Sequence, residues 1–290
     1  MRVLILGAEG MLGHQLLSEF AARHETFFTL RRPAESYRDH AMFSAPNAIF
    51  GIDAQDEVNL AEVIKATKPN GVINAIGIVK QRSDADDAIQ SIEINALLPH
   101  RLARICGSVG AQLIHVSTDC VFTGSRGSYT EDDVTDALDL YGRTKLLGEV
   151  TGPGCVTLRT SIIGLELARR KSLVEWFLSQ RGTIQGYRQA IYSGLTTMEL
   201  ARVMRRILED FPDLQGLFHV VSAPISKYDM LRQLAEHLGR KDITIEPNDS
   251  FVCDRSMRGA RFELSTGYKA PPWPQLLDEL AGKIKERSAQ

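Results

Sequence analysis

The sequence has no excess of positive charge. Its 34 Lys and Arg face 36 Asp and Glu, which leaves a formal net charge of -2 with the signs interspersed. Without a basic field a chain cannot offset phosphate repulsion over an extended surface, so nucleic acid is not expected as a partner. Cysteine is scarce. Cys106, Cys120, Cys155 and Cys253 lie far apart and include no C-x-x-C, which argues against a disulfide framework and against a zinc site. The histidines show no metal-ligand spacing, so no metal is expected: His115 alternates within a strand and reads as a satisfied core residue, and His14 reads as an exposed helix residue. Long apolar runs are missing as well. Val3-Leu4-Ile5-Leu6 is broken at Gly7, too short for a signal-peptide core or a bilayer span. A reducing, cytoplasmic setting with no membrane contact is expected.

What is present is ordinary globular composition, 43% hydrophobic and 24% charged over 290 residues, enough for one large or two modest domains. The first half alternates β-branched apolar runs (2–6, 26–30, 71–75, 112–117, 155–159) with helical patterns at 11–23 and 89–107. That alternation predicts an α/β fold with a Rossmann-type, doubly wound parallel sheet. Val72-Ile73-Asn74-Ala75 and Leu113-Ile114-His115-Val116 lack a polar face, as expected of strands covered on both sides. After about Arg159 the pattern loosens, with Gly182, Gly186 and Gly194 punctuating a loop-rich stretch and helices at 197–209 and 226–238. A smaller, partly interleaved region is expected there. Residues 248–274 carry no legible pattern.

Between the first strand and first helix stands Gly7-Ala8-Glu9-Gly10-Met11-Leu12-Gly13. In that context Gly7 permits a tight turn, Gly10 lets a pyrophosphate approach the backbone, and Gly13 allows close helix packing. The helix start at Met11, Leu12 and Gly13 directs N–H groups at the anion. A plain tight turn is the alternative. A dinucleotide is the implied ligand, and its type should be written after the second strand. There Arg31-Arg32 stands where an NAD site places a carboxylate, and guanidiniums suit the 2'-phosphate of NADPH. Solvated loop charges are the alternative reading of the pair.

Tyr141-Gly142-Arg143-Thr144-Lys145 opens a further helix, and residues four apart share a helical face. Reduction of a carbonyl leaves a developing alkoxide that needs a proton. A phenol is a poor donor near neutrality until an ammonium lowers its pKa. A hydroxyl at the end of a neighbouring strand can hold the carbonyl oxygen, and Ser117-Thr118 follows the strand 112–116. Alone, Y-x-x-x-K is weak, because both residues are common on surface helices.

Together, Gly7-x-x-Gly10-x-x-Gly13, Asn74-Ala75, Asn95, Val116-Ser117-Thr118-Asp119-x-Val121-Phe122-x-Gly124, Tyr141-x-x-x-Lys145-x-x-x-Glu149 and Leu158-Arg159-Thr160-Ser161 resemble the extended short-chain dehydrogenase/reductases. Within them the chain is most similar to the dTDP-4-dehydrorhamnose reductases and related sugar-nucleotide reductases. The likeness covers the first 165 residues well and the remainder thinly. It implies that residues 1–165 form the NADP(H)-binding domain with the catalytic residues and that 166–290 form the substrate-binding region. It further implies that Thr118 holds the substrate carbonyl, Tyr141 donates the proton, and Lys145 binds the nicotinamide ribose. Asp53, after the apolar, strand-like Phe50-Gly51-Ile52, matches a position beside the adenine, Ala75, Ile76 and Gly77 match the loop past the ribose and phosphates, and Asp119 matches a position beside the sugar.

Two departures concern the substrate. Cys120 and the turn Ile162-Ile163-Gly164 stand where rhamnose-forming members carry an aromatic residue and a tryptophan, so an aromatic face for a sugar or base is missing at both. Cys120 reads as a small buried filler, and Asp119 has a turn cap as its alternative role. Tyr192, Arg255 and Arg258 are candidates for binding a nucleotide-activated sugar, with Arg261 beside them. The resemblance implies NADPH-dependent reduction of a 4-keto nucleotide-activated deoxysugar. An epimerase or dehydratase on the same fold and a non-catalytic dinucleotide-binding subunit are the alternatives. The oligomeric state is left open, a homodimer included.

Overall fold

The strands of the first half are apolar on both faces, and a sheet made of them has to be covered twice. In the computed structural model of the protein, which describes residues 1–79 and 87–289, β1 (Arg2–Leu6), β2 (Glu25–Leu30), β3 (Ala48–Phe50), β4 (Gly71–Asn74), β5 (Gln112–Val116) and β6 (Cys155–Arg159) join a later strand, Gly216–His219, in one seven-stranded sheet. The spatial order is Gly216–His219, β6, β5, β4, β1, β2, β3, and β1 through β6 pair in parallel.

Leu4 and Leu6 of β1, Val72 of β4 and Leu113 of β5 pack in one core with Leu60 and Ile64 of α2 (Glu57–Thr67) and Leu98, Leu102 and Ile105 of α4 (Leu98–Val109). Side chains alternate along a strand, so Val3, Ile5 and Ile73, also fully buried, face the other way. On that side lie α1 (Gly13–Phe20) and α7 (Thr197–Asp210). A Cβ added to Gly71 would stand 2.5 Å from Cδ2 of Leu208, and Arg205 of α7 reaches Glu19 of α1 at 2.7 Å. The sheet is doubly wound, as the sequence pattern predicts. From β1 the chain winds outward to β3 and returns to place β4 on the other side of β1. Leu6 and Asn74, at the carboxyl ends of β1 and β4, are therefore register partners at the switch point where such sheets bind ligands.

Two compact units divide the chain. The first holds Met1–Ser117, Asp139–Leu158 and Ala201–Leu217; the second holds Thr118–Leu138, Arg159–Leu200 and Phe218–Gln290. In the second, Ile162–Ile163 pairs with Leu195–Thr196, Ala190–Tyr192 lies between Ile225–Ser226 and Cys253–Asp254, and Gly182–Tyr187 pairs with Ile243–Asn248. Its helices include α6 (Leu173–Ser179), α8 (Lys227–Leu238), α9 (Ala260–Thr266) and α10 (Trp273–Ser288). Ser226 caps α8 by accepting the N–H of Asp229 at 3.0 Å.

Three sequence expectations need correction. The helix expected over 89–107 is interrupted: α3 (Ala88–Ser91) runs into a wide π-type turn at Ile92–Leu97 before α4 begins. Pro99 has no N–H to offer the carbonyl four residues back, at Asn95, and Gly148 uses the space beside that carbonyl. The third strand ends at Phe50, because Gly51 adopts φ +74° and turns the chain. His14 is buried, with Nδ1 2.9 Å from the carbonyl of Gly10.

A Cβ on Gly148 would lie 2.0 Å from the Asn95 carbonyl oxygen, whereas one on Gly107 meets nothing within 4 Å. Gly148→Ala should destabilise the protein by about 1 to 3 kcal/mol, and Gly107→Ala should stabilise it by about 0.4 to 1 kcal/mol. Urea unfolding of the two variants beside the parent checks both signs.

Candidate active site

At the end of β1, Gly7 takes φ +82°, and a side chain there would strike Ile76 Cγ1 at 2.7 Å. Gly13 is tighter still, since its Cβ would lie 2.1 Å from the carbonyl oxygen of Gly7. Gly10 differs: its nearest protein atom would be the same carbonyl at 3.4 Å, an ordinary contact. The protein itself requires Gly7 and Gly13, whereas the open face at Gly10 is the one through which a ligand can reach the backbone. Met11 and Leu12 complete the turn, and α1 begins at Gly13 with no side-chain cap, although the His14 N–H donates to the Gly10 carbonyl at 3.2 Å. A helix start without a side-chain cap suits an anion.

Arg31 and Arg32 follow β2 with exposed side chains and make no ion pair among the described residues. Sequence reasoning missed what holds their turn. The hydroxyl of Tyr37 accepts the N–H of Arg32 at 3.1 Å and donates to the carboxylate of Glu9, which belongs to the glycine loop. Burial and the Glu9 bond push the Tyr37 phenol up to about 12, so it stays a donor. Asp53 is exposed in the turn after β3, its carboxylate accepting the Gln55 N–H at 3.0 Å.

Ala75, Ile76 and Gly77 leave β4 beside the glycine turn, and the N–H of Ala75 donates to Leu6 at 3.1 Å. Asn95, from the π-type turn, clamps the end of this loop in both directions at 2.9 Å, accepting from the N–H and donating to the carbonyl of Ile78. Asn95 was visible as part of the sequence pattern, but not this role, which depends on a helical irregularity that periodicity does not reveal.

Asp139 caps α5 (Leu140–Leu147) by accepting the N–H of Gly142 at 2.8 Å, which starts the helix one residue before Tyr141. Tyr141 is half-buried and Lys145 is buried. The lysine Nζ donates to the carbonyl of Val116 at 2.6 Å and lies 3.5 Å from Nε2 of His115. Burial pulls the Lys145 ammonium down to about 8, with the Glu149 carboxylate acting in the opposite direction. Glu149 accepts from the Ser117 hydroxyl at 2.6 Å. His115 is a satisfied core residue, as expected, with Nδ1 3.1 Å from Nδ2 of Asn74.

The depressed lysine has a consequence for stability. Between about pH 8 and pH 10.5 the unfolded chain binds the proton more readily, so stability rises with pH through that window. Below it the burden is fully present, on the order of 3 kcal/mol. In the cofactor-free protein, Lys145→Met should remove this rise, so that the stability gap between variant and parent changes from pH 8 to pH 10.5. Parallel unfolding curves across that range would contradict the assignment.

The second unit carries the remaining candidates. Thr118 opens the turn Asp119–Val121; its hydroxyl accepts the N–H of Cys120 and donates to the Asp119 carboxylate, both at 3.1 Å. Thr118 rather than Asp119 is thus the cap. Cys120 is half-buried, not a core filler, and its sulfur lies 3.5 Å from Nη1 of Arg255. Arg255 is anchored by Nε on the Phe122 carbonyl at 2.8 Å. Arg258 is exposed, and Arg261 pairs with Asp132 at 2.7 Å. Tyr192 is buried, and among the described residues its hydroxyl has no hydrogen-bond partner. Burial, with the Asp119 carboxylate adding to it, pushes its phenol up. A buried orphan hydroxyl is the kind of group a ligand satisfies. Among the described residues no group of acidic, histidine or cysteine side chains could hold a metal ion, and no helix is long and apolar enough to cross a membrane.

The chain is similar to known proteins. The chain is 26% identical over 270 residues to the dTDP-4-dehydrorhamnose reductase of Mycolicibacterium smegmatis, covering 89% of this chain and 75% of the relative. It is also 26% identical over 318 residues to methionine adenosyltransferase 2 subunit beta of Mus musculus, covering 96% and 89%. The crystal structure of dTDP-4-dehydrorhamnose reductase from Bacillus anthracis in complex with NADP superimposes with a TM-score of 0.78 at 19% identity, covering 97% of this chain and 99% of that one. The family described as RmlD substrate binding domain matches residues 1–266, and the chain belongs to that family.

Proposed function

We propose that the protein is an NADPH-dependent oxidoreductase that reduces a 4-keto group on a nucleotide-activated deoxysugar. The observation that carries the reading is Lys145, a buried amine held by the Val116 carbonyl one helical turn from Tyr141. Burying a lysine is unfavourable without a use for it. The names of the reductase relatives supply the substrate class.

The residues fit the cofactor. Gly10 presents open backbone at the start of a helix without a side-chain cap, Ala75, Ile76 and Gly77 flank it, and Arg31 and Arg32 offer exposed guanidiniums for a 2'-phosphate. Asp53 follows β3, the neighbour of β2, where it is assigned to the adenine side. When bound, NADPH supplies a hydride to the carbonyl carbon. Tyr141 gives its phenolic proton to the resulting oxygen, and the Lys145 ammonium stabilises the phenolate left behind. Thr118 holds the carbonyl oxygen by hydrogen bonding. Asp119 and Tyr192 are assigned to the sugar, and Arg255 and Arg258 to the nucleotide's diphosphate.

The methionine adenosyltransferase subunits among the relatives give the second reading, a dinucleotide-binding partner without chemistry. Thr118, Tyr141 and Lys145 together favour the enzyme, since a purely structural subunit has no need of all three. A panel of dTDP-, UDP- and GDP-linked 4-keto deoxysugars, followed by NADPH absorbance and product identification, separates the two. Net NADPH consumption also separates a reductase from an epimerase, which returns the hydride to its sugar.

With an accepted substrate, Tyr141→Phe should keep cofactor binding and lower turnover roughly 100- to 10,000-fold. Lys145→Met should lower turnover and weaken NADPH binding together. A near-normal rate in folded, NADPH-bound Tyr141→Phe would remove Tyr141 as the acid.

NADPH should bind more tightly than NADH, and neutral residues at 31 and 32 should erase most of that difference, at about 1.5 to 3 kcal/mol per charge-assisted bond lost. Equal affinities in the parent protein, measured by calorimetry, would sink the assignment of the two arginines.

A further inference from the structure

Behind Lys145 lies a polar chain that the proposed reaction does not use. Asn74 at the end of β4 and His115 on β5 are register partners, each about 1% exposed. The N–H of Ile76 donates to Oδ1 of Asn74 at 3.1 Å. This fixes which end of the amide is which and turns Nδ2 toward Nδ1 of His115 at 3.1 Å. Facing an amide donor, Nδ1 has to accept, so the proton of the neutral ring resides on Nε2. That nitrogen is the one 3.5 Å from Lys145 Nζ.

An N–H opposite the lysine nitrogen does not treat its two protonation states alike. The ammonium has three donors and no lone pair, so it meets another donor; the amine has a lone pair that can accept. We propose that His115 is a positioning residue for Lys145: locked by Asn74 as the Nε2–H tautomer, it offers a donor to the lysine nitrogen and so favours the amine over the ammonium. Val116 is indifferent, because either form can donate to its carbonyl. Glu149, just beyond the end of α5, favours the ammonium, and Tyr141 lies one turn before Lys145. His100, on α4, acts on His115, while its own Nε2 contacts the Leu147 carbonyl at 2.7 Å. Burial, Lys145 and His100 hold His115 well below the ordinary imidazole range, so it remains neutral while Lys145 titrates. For catalysis the inference rests on the function proposed above: burial and His115 on one side and Glu149 on the other set the pH at which Lys145 stops carrying the charge that acts on Tyr141.

The tautomer can be read directly in the cofactor-free full chain by long-range proton–nitrogen NMR of labelled histidines. His115 should show a protonated Nε2 and a bare Nδ1 throughout the neutral range. A proton on Nδ1 overturns the proposal. Asn74→Asp is nearly isosteric but puts an acceptor where the donor stood, so the ring should switch to Nδ1–H. Lys145, followed through its labelled Cε, should then titrate about one pH unit higher. His115→Met, which carries no added charge, should move Lys145 in the same direction; an unchanged titration overturns the proposal. If His115→Met does not fold, the parent tautomer and the Asn74→Asp switch decide. With an accepted 4-keto sugar nucleotide, the basic limb of kcat/KM should follow the shifted lysine. Failure of the parent to reduce any such sugar would count against the proposed function and leave the tautomer and titration results standing.

Discussion

The contact between the Lys145 nitrogen and the Val116 carbonyl constrains much of the first unit. An ammonium taken out of water needs compensation, and the carbonyl at 2.6 Å, with Glu149 nearby, provides it. For that contact to form, α5 must lie against the end of β5. Asp139 fixes where the helix begins. Thr144 turns its hydroxyl back onto the Leu140 carbonyl at 2.8 Å, with Nδ2 of Asn95 3.4 Å away. At the far end, Gly148 leaves room for the Asn95 carbonyl. The interruption of the helix before α4 is thus one of the conditions that let α5 dock, and the same Asn95 clamps the loop after β4.

Within the glycine pattern, identical residues answer to different physics. Gly7 and Gly13 are demanded by the protein, the first by its backbone angle and Ile76, the second by contact with the Gly7 carbonyl. Gly10 answers to no such demand. In the proposed reading a ligand that would come to the backbone from outside accounts for this glycine, so Gly10 bears on function more directly than its two neighbours.

The parallel sheet was legible because two-sided burial leaves strands without a polar face, as in Val72-Ile73 and Leu113-Ile114. The glycine turn and the Tyr141–Lys145 spacing were legible because each is local in sequence. Less visible was whatever depends on contacts between distant segments: His14 closing on Gly10, Tyr37 tying Arg32 to Glu9, and the chain from Ile76 through Asn74 and His115 to Lys145. The π-type turn escaped because Pro99 sits in the first turn of α4, a position in which proline ordinarily marks the start of a helix. Cys120 was misjudged because its half-exposed contact with Arg255 spans 135 residues.

Two adjacent hydroxyls, Ser117 and Thr118, follow β5, and the structure distinguishes them. Ser117 donates its one proton to Glu149 at 2.6 Å, the carboxylate that also acts on Lys145, so diverting that proton would disturb the lysine. Thr118 donates to Asp119 at 3.1 Å, a longer contact with its immediate neighbour, while accepting from Cys120. In the proposed reaction Thr118 can therefore turn its proton to a substrate carbonyl while keeping the Cys120 N–H as its anchor. On that reading the carbonyl contact goes to Thr118, whose donor is the easier of the two to redirect, and Ser117 is left to hold Glu149.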